Sequence, residues 1–346
     1  KQNAGVPWQW VDAKSAKERA LKFFKAAFSK DTKTLQEMNI KAMSEGTDSA
    51  GGFLVPEELM GMIDRVKDDF GIVRKLSRRF PMGRDILNIP TTGTKPTVSW
   101  VGENSAAAES QPVFKNVKLQ AHTAVGITPI SNELMADANV DVVDHLLELF
   151  AEELAGAEDE QGLNGVGAPF TGVLNHTSVN SSTAATGNTT IATLDLADLE
   201  DAIGNLKSTV LGGSVWVMHR AVWSGIKKLQ EGSQSLIAFG TTNAITMKTE
   251  GSTAVTPAGF LLGYPVYLSD KMPSAPSAGE AYAIFGNFSY FYFGDRQQVA
   301  VSTSEHATIG SANMFENNAQ AVRVLERVAL SVGIPEAFNV LNLAAS

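Results

Sequence analysis

The stretch that most constrains this chain is residues 139–164, NVDVVDHLLELFAEELAGAEDEQGLN. Its apolar residues Val142, Leu146, Leu149, Phe150, Leu154 and Ala157 recur at intervals of three and four, the spacing that lines one face of a helix. A long amphipathic helix is predicted. Asp141 is placed to cap its start and Asn164-Gly165 to stop it, and about 24 residues at about 1.5 Å each give roughly 36 Å. Between Glu133 and Leu163 lie ten acidic residues and no Lys or Arg. Asp144, Glu148 and Glu152 are spaced by four, where like charges repel, so the helix either shows a solvated acidic face or forms a ridge that receives basic neighbours.

A chain of 346 residues, 44% hydrophobic and 19% charged, can bury a core around such a helix and is expected to be soluble and globular. No apolar run reaches the ~20 residues of a membrane helix, since the best, 328–345, is interrupted by Pro335 and Glu336. The absence of cysteine removes disulfides, thiolate metal sites and a thiol nucleophile together. Residues 1–100 carry 17 Lys or Arg against 12 Asp or Glu, within a chain whose net charge is −9, so the remainder is strongly acidic. That asymmetry suits contacts between copies better than tight, phosphate-neutralising DNA binding.

Along the chain, residues 12–28 predict a basic amphipathic helix, with Phe23 and Phe24 on its apolar face, inside a first segment that reads as an arm. Pro56 with Glu57 and Glu58 starts a second helix over 57–69, and Lys75, Arg78, Arg79 and Arg84 form the densest basic cluster, the obvious partner for the acidic helix. Residues 89–127 predict a long two-stranded hairpin, with β-prone residues 97–101 before a polar turn and alternating residues 114–127 after it. Such a hairpin is marginal alone and needs an external support. The turn NGVGAPFTG at 164–172 lacks the Lys-Ser/Thr of a phosphate loop and reads as structural. Residues 194–310 alternate helices (from Asp195 through Val210, and 221–229) with short strands (215–218, 244–248, 260–262, 266–268, 282–285, 299–301), a mixed α/β region. Residues 319–332 read as one long strand.

Candidates for chemistry are sparse. His122, His145, His176, His219 and His306 are dispersed without metal-ligand spacing, and there is no G-x-S-x-G elbow. No catalytic, metal or cofactor residue is assigned, although a hydrolase assembled from scattered Ser, His and carboxylates is an alternative from a different class.

Taken in order, the segments GTDSAGGFLVP (46–56), Ile89-Pro90, SWVGENSA (99–106), Pro112-Val113-Phe114, PISNELMAD (129–137), GLNGVGAPFTGVL (162–174), VWVMHRAVWSGIKKL (215–229), LLGYPVYLSDKMP (261–273), IFGNFSYFYFGDRQQVAV (284–301) and PEAFNVL (335–341) resemble the HK97-fold major capsid proteins of tailed double-stranded DNA bacteriophages. The resemblance implies an α+β fold: an N-terminal arm at 1–55, a peripheral domain with a long spine helix at 56–90, 127–193 and 311–346, an extended hairpin loop at 91–126, and an axial α/β domain at 194–310. It implies no enzyme and no cofactor, but self-assembly as pentamers and hexamers into an icosahedral shell around DNA that is held nonspecifically. Implied partners are portal and decoration proteins, and a scaffolding segment removed by a maturation protease, consistent with a start at Lys1. The implied location is the virion, assembled in the bacterial cytoplasm without a membrane. An encapsulin-like shell enclosing a cargo protein is the alternative within the fold.

Candidate contacts between subunits are Trp8, Trp10, Phe23, Phe24, Lys75, Arg78, Arg79, Arg84, Trp100, Glu103, Phe114, Lys115, Glu148, Glu152 and Glu153. Some members of this family join a hairpin Lys to an Asn near the last strand, promoted by a Glu. By resemblance Asn318 is that Asn, and Lys95, Lys115 or Lys118 could supply the amine. Leu325 stands at the Glu position, one before Glu326, and cannot take a proton, so no autocatalytic cross-link is expected.

Overall fold

The computed structural model describes residues 71–94, 96–98, 100–101, 109–133, 141–231, 234–235 and 257–345. The expected arm, the helices over 12–28 and 57–69, and the strand over 244–248 lie outside the described residues. Helices are α1 Ile72–Leu76, α2 Asp141–Asn164, α3 Leu196–Gly204, α4 Ser208–Leu211 and α5 Arg220–Ile226. The main strands are β1 Arg78–Pro81, β2 Ile86–Thr94, β3 Val113–Gln120, β4 His122–Ser131, β5 Asn180–Thr183, β6 Val215–Met218, β7 Gly259–Leu261, β8 Tyr264–Leu268, β9 Ala281–Gly286, β10 Phe291–Ser304, β11 Ala319–Val332 and β12 Phe338–Asn342. Among the described residues no helix is long and apolar enough to cross a membrane.

The chain forms two compact units. In the first, Thr123–Ala157 and Gln297–Arg327 combine the front of α2 with a sheet ordered β10-β11-β4. Small residues on β4 let the helix come close: a Cβ added at Gly126 would stand 3.1 Å from the Phe150 ring. The second unit is built on a six-stranded sheet ordered β5-β12-β9-β6-β8-β7. Val215, Trp216, Val217 and Met218 of β6 are all buried, as a central strand covered on both faces requires. Trp216 stacks at 4.5 Å on Phe285 and donates its Nε1–H to the Leu261 carbonyl at 3.1 Å, so the largest side chain of this core leaves no polar atom unpaired.

Helix α2 spans 24 residues, as its sequence predicts, but its buried stripe is not the apolar one. Leu149 and Ala157 are exposed, whereas Ala151, Leu154, Ala155, Glu158, Asp159, Gly162 and Leu163 are buried at an unbroken three-and-four spacing that passes through two acids. The helix expected from Asp195 through Val210 is two helices, because α3 ends at Gly204 with Asn205 as its cap.

The hairpin also differs from expectation. Its ladder pairs Ile86↔Gln120 through Thr94↔Val113, and residues 97, 98, 100 and 101 are irregular rather than strand. The second strand stops at Gln120, where the Ala121 N–H donates to the Asp85 carbonyl, and the chain enters a different sheet as β4. The inward side chains change parity there. Leu119 and Ala121 are buried, but in β4 Val125 and Ile127 face out while Ala124, Gly126 and Ile130 turn in.

The turn after α2 folds back on the helix end, with the Gly172 N–H on the Gly165 carbonyl at 2.8 Å and a bridge between Val166 and Thr171. A Cβ on Gly172 would lie 2.5 Å from the Gly165 nitrogen and 2.6 Å from the Leu163 carbonyl, both backbone and unable to move aside. Gly172→Ala is therefore expected to destabilise the subunit by about 1–3 kcal/mol, read as a lowered thermal unfolding midpoint.

Candidate assembly surfaces

Among the described residues, the hairpin's support lies at its base. Leu87 pairs with Leu119 and Ile89 with Val117, and these rest on Met82, Tyr292 and Ala329. Beyond Pro90 and Asn116 support is lost: Val113, Phe114, Lys115 and Asn116 are all exposed, on both faces of the ladder. Past the ladder, Ser110 Oγ accepts the Thr97 N–H at 2.8 Å, and Val98 and Trp100 beside it are exposed, Trp100 fully. Five large apolar side chains, Val98, Trp100, Val101, Val113 and Phe114, thus face water at the end of a two-stranded arm. A second apolar surface lies on β4, where Val125 and Ile127 are each about half exposed (50% and 51%). On β11 of the same sheet Arg323 is exposed, its Nε–H donating to Ser302 at 3.1 Å.

Helix α2 also carries two buried acids, Glu158 and Asp159. Arg74 of α1, 4% exposed, donates from Nε and Nη2 to the two oxygens of Glu158 at 2.8 and 2.7 Å. Its Nη1 lies 3.5 Å from Asp295, and its guanidinium covers the Phe293 ring at 4.5 Å. Asp159 accepts the backbone N–H of Ile72 at 3.0 Å and of Val73 at 2.8 Å. Burial pushes the Asp159 carboxyl up to about 7; the two N–H bonds and Lys271 oppose this, and the Glu158 charge adds to it. The unfolded chain holds an ordinary carboxyl near 3.8, so this group's stabilisation is complete below about pH 4 and is lost as pH rises through about 7.

Residues 51–343 match the sequence profile described as the phage capsid family. The chain belongs to that family. A curated major capsid protein of Klebsiella oxytoca phage phiKO2 is 25% identical over 320 residues, 87% of this chain and 71% of the relative. Among solved structures, the capsid of an empty GTA particle aligns with a TM-score of 0.66 at 18% identity, covering 88% of this chain and 96% of that one. The Mycobacterium phage Ogopogo structure aligns at 0.61 and 17%, covering 90% and 99%. The fold of this family chain is thus the HK97-type capsid fold.

The predicted contact residues of the capsid chain separate into groups. Trp8, Trp10, Phe23, Phe24 and Glu103 lie outside the described residues. Lys75, Arg78, Arg79, Arg84, Trp100, Phe114, Lys115, Glu148, Glu152 and Glu153 are all exposed. Within the second unit the buried base that meets an acid of α2 is Arg74, on Glu158, and Lys271 lies 3.6 Å from Glu160; neither was among the predicted residues. Asn318 adopts a left-handed φ of 48° and is held by Asn132, whose Nδ2–H donates to its side-chain oxygen at 2.9 Å and whose backbone N–H donates to its carbonyl at 3.0 Å. Leu325 is half-buried and Glu326 buried, as neighbouring strand positions that turn opposite ways. His219 Nδ1 caps α5 by accepting the Ala221 N–H, and His122 meets the Phe170 ring edge-on at 5.0 Å, both structural roles. Among the described residues no group of three His, Asp or Glu is arranged to hold a metal ion.

Proposed function

We propose that this chain is the major capsid subunit of a phage, that its contacts close pentamers and hexamers into an icosahedral shell, and that the shell holds double-stranded DNA through weak, nonspecific contacts. Its role is structural, with no catalytic step. The observation that carries the reading is the group of exposed apolar side chains, Trp100 and Phe114 among them, at the end of the hairpin of a phage capsid family chain. An arm with a fully exposed Trp100 gains stability only when another surface covers it. The exposed Val125 and Ile127 of a neighbouring copy offer apolar cover, and Arg323 on the same sheet offers charge opposite to Glu109 of the arm. The region around the six-stranded sheet takes the axial position at capsomer centres, and the unit carrying the front of α2 takes the peripheral one. Many modest contacts per subunit, repeated around a closed shell, add by multivalency. Portal, scaffolding and protease partners, and assembly in the host cytoplasm, follow from the same reading.

Electron microscopy of the purified protein from infected or expressing cells tests it. Megadalton shells with nuclease-protected DNA are expected from virions, whereas shells enclosing protein alone point to an encapsulin-like compartment and a small monodisperse species overturns the reading. The same particles on a denaturing gel are expected to give a single subunit band, since Leu325 cannot promote the Lys–Asn reaction. A ladder of covalent oligomers would contradict that.

A further inference from the structure

Strand β3 alternates without a break from Gln120 back to Val113, and its two faces change character along the way. At the base Leu119 and Val117, paired with Leu87 and Ile89, turn in on Met82, Tyr292 and Ala329. Gln120, Lys118 and Asn116 turn out to water there together with Asn88, and Ile86 at the first pair is the one apolar exception. That is the pattern of a ribbon covered on one face. It ends at a bulge. The ladder shifts between Thr92 and Thr94, so Gly93 is an extra residue on β2, and a Cβ there would stand 3.0 Å from both the Val113 carbonyl oxygen and Lys115 Cγ. Such a bulge bends its strand and increases the twist, here beyond the last pair that rests on the core. Past it the alternation of polarity is gone. Val113 continues the inward face and Phe114 the outward one, yet both are more than half exposed, at 52% and 71%. On the opposite chain Trp100 and Val101 are again consecutive, apolar and exposed, and the Thr97 N–H on Ser110 Oγ at 2.8 Å holds the two chains side by side.

We propose that the hairpin end is an insert gripped on both faces by other copies of this chain, one on the Val113 side and another on the Phe114 side, so that each arm joins three subunits. A two-stranded ribbon has no layer of its own to cover either face, and apolar side chains on opposite faces leave water together only when both faces are covered. The copy against the Val113 face is the one beside the subunit, because that face rests at its base on the subunit's own core and continues past it. The Phe114 face looks the other way. Its cover has to come from a further copy that overlaps the arm, since docking on one side alone would leave an aromatic ring in water in every subunit. Copies are the occupants because the inference rests on the shell reading of this phage capsid family chain, in which repeats of one surface surround every arm. Asn88 and Lys118, polar and exposed on the outward face of the base, need no cover and mark where the grip stops.

Photocross-linking in assembled particles tests it, with Val113 or Phe114 replaced by benzoylphenylalanine in a minor fraction of the chains and the rest unmodified. Irradiation is expected to give covalent dimers from both positions, and mass spectrometry of the joined peptides to find two different segments of this chain as their targets. Dimers from one position only, a single shared target segment, or capture of a different protein would overturn the insert and leave the shell reading standing. Absence of particles would remove both. Independently, Val113→Glu and Phe114→Glu are each expected to lower the particle yield about tenfold or more with unchanged far-ultraviolet circular dichroism, whereas Asn88→Glu, on the outward face of the base, should preserve it. A normal yield from either of the first two variants would mean that one face of the hairpin end stays uncovered, against the proposal.

Discussion

Arg74→Ala is expected to lower the stability of the subunit by about 3–5 kcal/mol, seen as a fall in the urea midpoint with little change in the slope of the transition. The size follows from what is left behind. Glu158, within a residue 4% exposed, would lose both bonds of its fork and remain a buried charge, Asp295 would lose its neighbour, and the Phe293 face would lose its cover. Arg74→Lys should recover only part of the loss, because an ammonium cannot span both carboxylate oxygens or stack flat on a ring. Arg74→Met combined with Glu158→Leu should recover most of it, since removing both charges also removes their desolvation cost. If Arg74→Ala leaves the midpoint within error of wild type, the cluster does not fasten α1 to α2.

That cluster marks the limit of what the sequence made legible. Reading hydropathy along α2 places Leu149 and Ala157 inside and treats every acid as facing outward. The buried stripe instead keeps its period through Glu158 and Asp159, as the run from Ala151 to Leu163 makes plain. Two acids in stripe positions are a signal in themselves, since a buried charge demands a partner, and following the period rather than the polarity would have directed attention to a base such as Arg74. The hairpin failed for a related reason. Apolar residues alternate at Val117, Leu119, Ala121 and Val125 as though one strand ran throughout, yet the chain changes sheet after Gln120 and the inward parity changes with it. Period alone cannot register such a switch when each strand has a face to bury. The strands read close to their observed bounds include the continuous apolar Val215–Met218, the β-branched Ala319–Val332, and the short pieces at 260–262, 266–268 and 282–285, which fall on β7, β8 and β9. By contrast β10 runs from Phe291 to Ser304, far beyond the expected 299–301, because its first residues are buried on both faces and show no alternation to recognise.

Replacing Trp100 and Phe114 together by Glu should abolish shell formation while leaving the fold of the subunit unchanged. Both side chains stand clear of the subunit's own core, at 101% and 71% exposure, so their removal opens no cavity and strands no buried polar group. Their absence is felt only between copies. Aromatic anchors at protein interfaces commonly contribute 2 kcal/mol or more each, about thirtyfold in a contact's equilibrium constant, and a charge forced against apolar cover adds a desolvation cost. Because each copy offers one such arm, the penalty recurs at every subunit and a modest pairwise loss becomes a cooperative failure to close the shell. Sedimentation should then give small species where the parent gives megadalton particles, with unchanged far-ultraviolet circular dichroism. Val125→Lys with Ile127→Lys, placed on the other exposed apolar surface, separates two cases: the same failure to assemble marks that face of β4 as part of the contact, and normal particles assign the arm a different seat. Particles formed normally by the Trp100 and Phe114 double variant would show that the hairpin end does not hold the shell together.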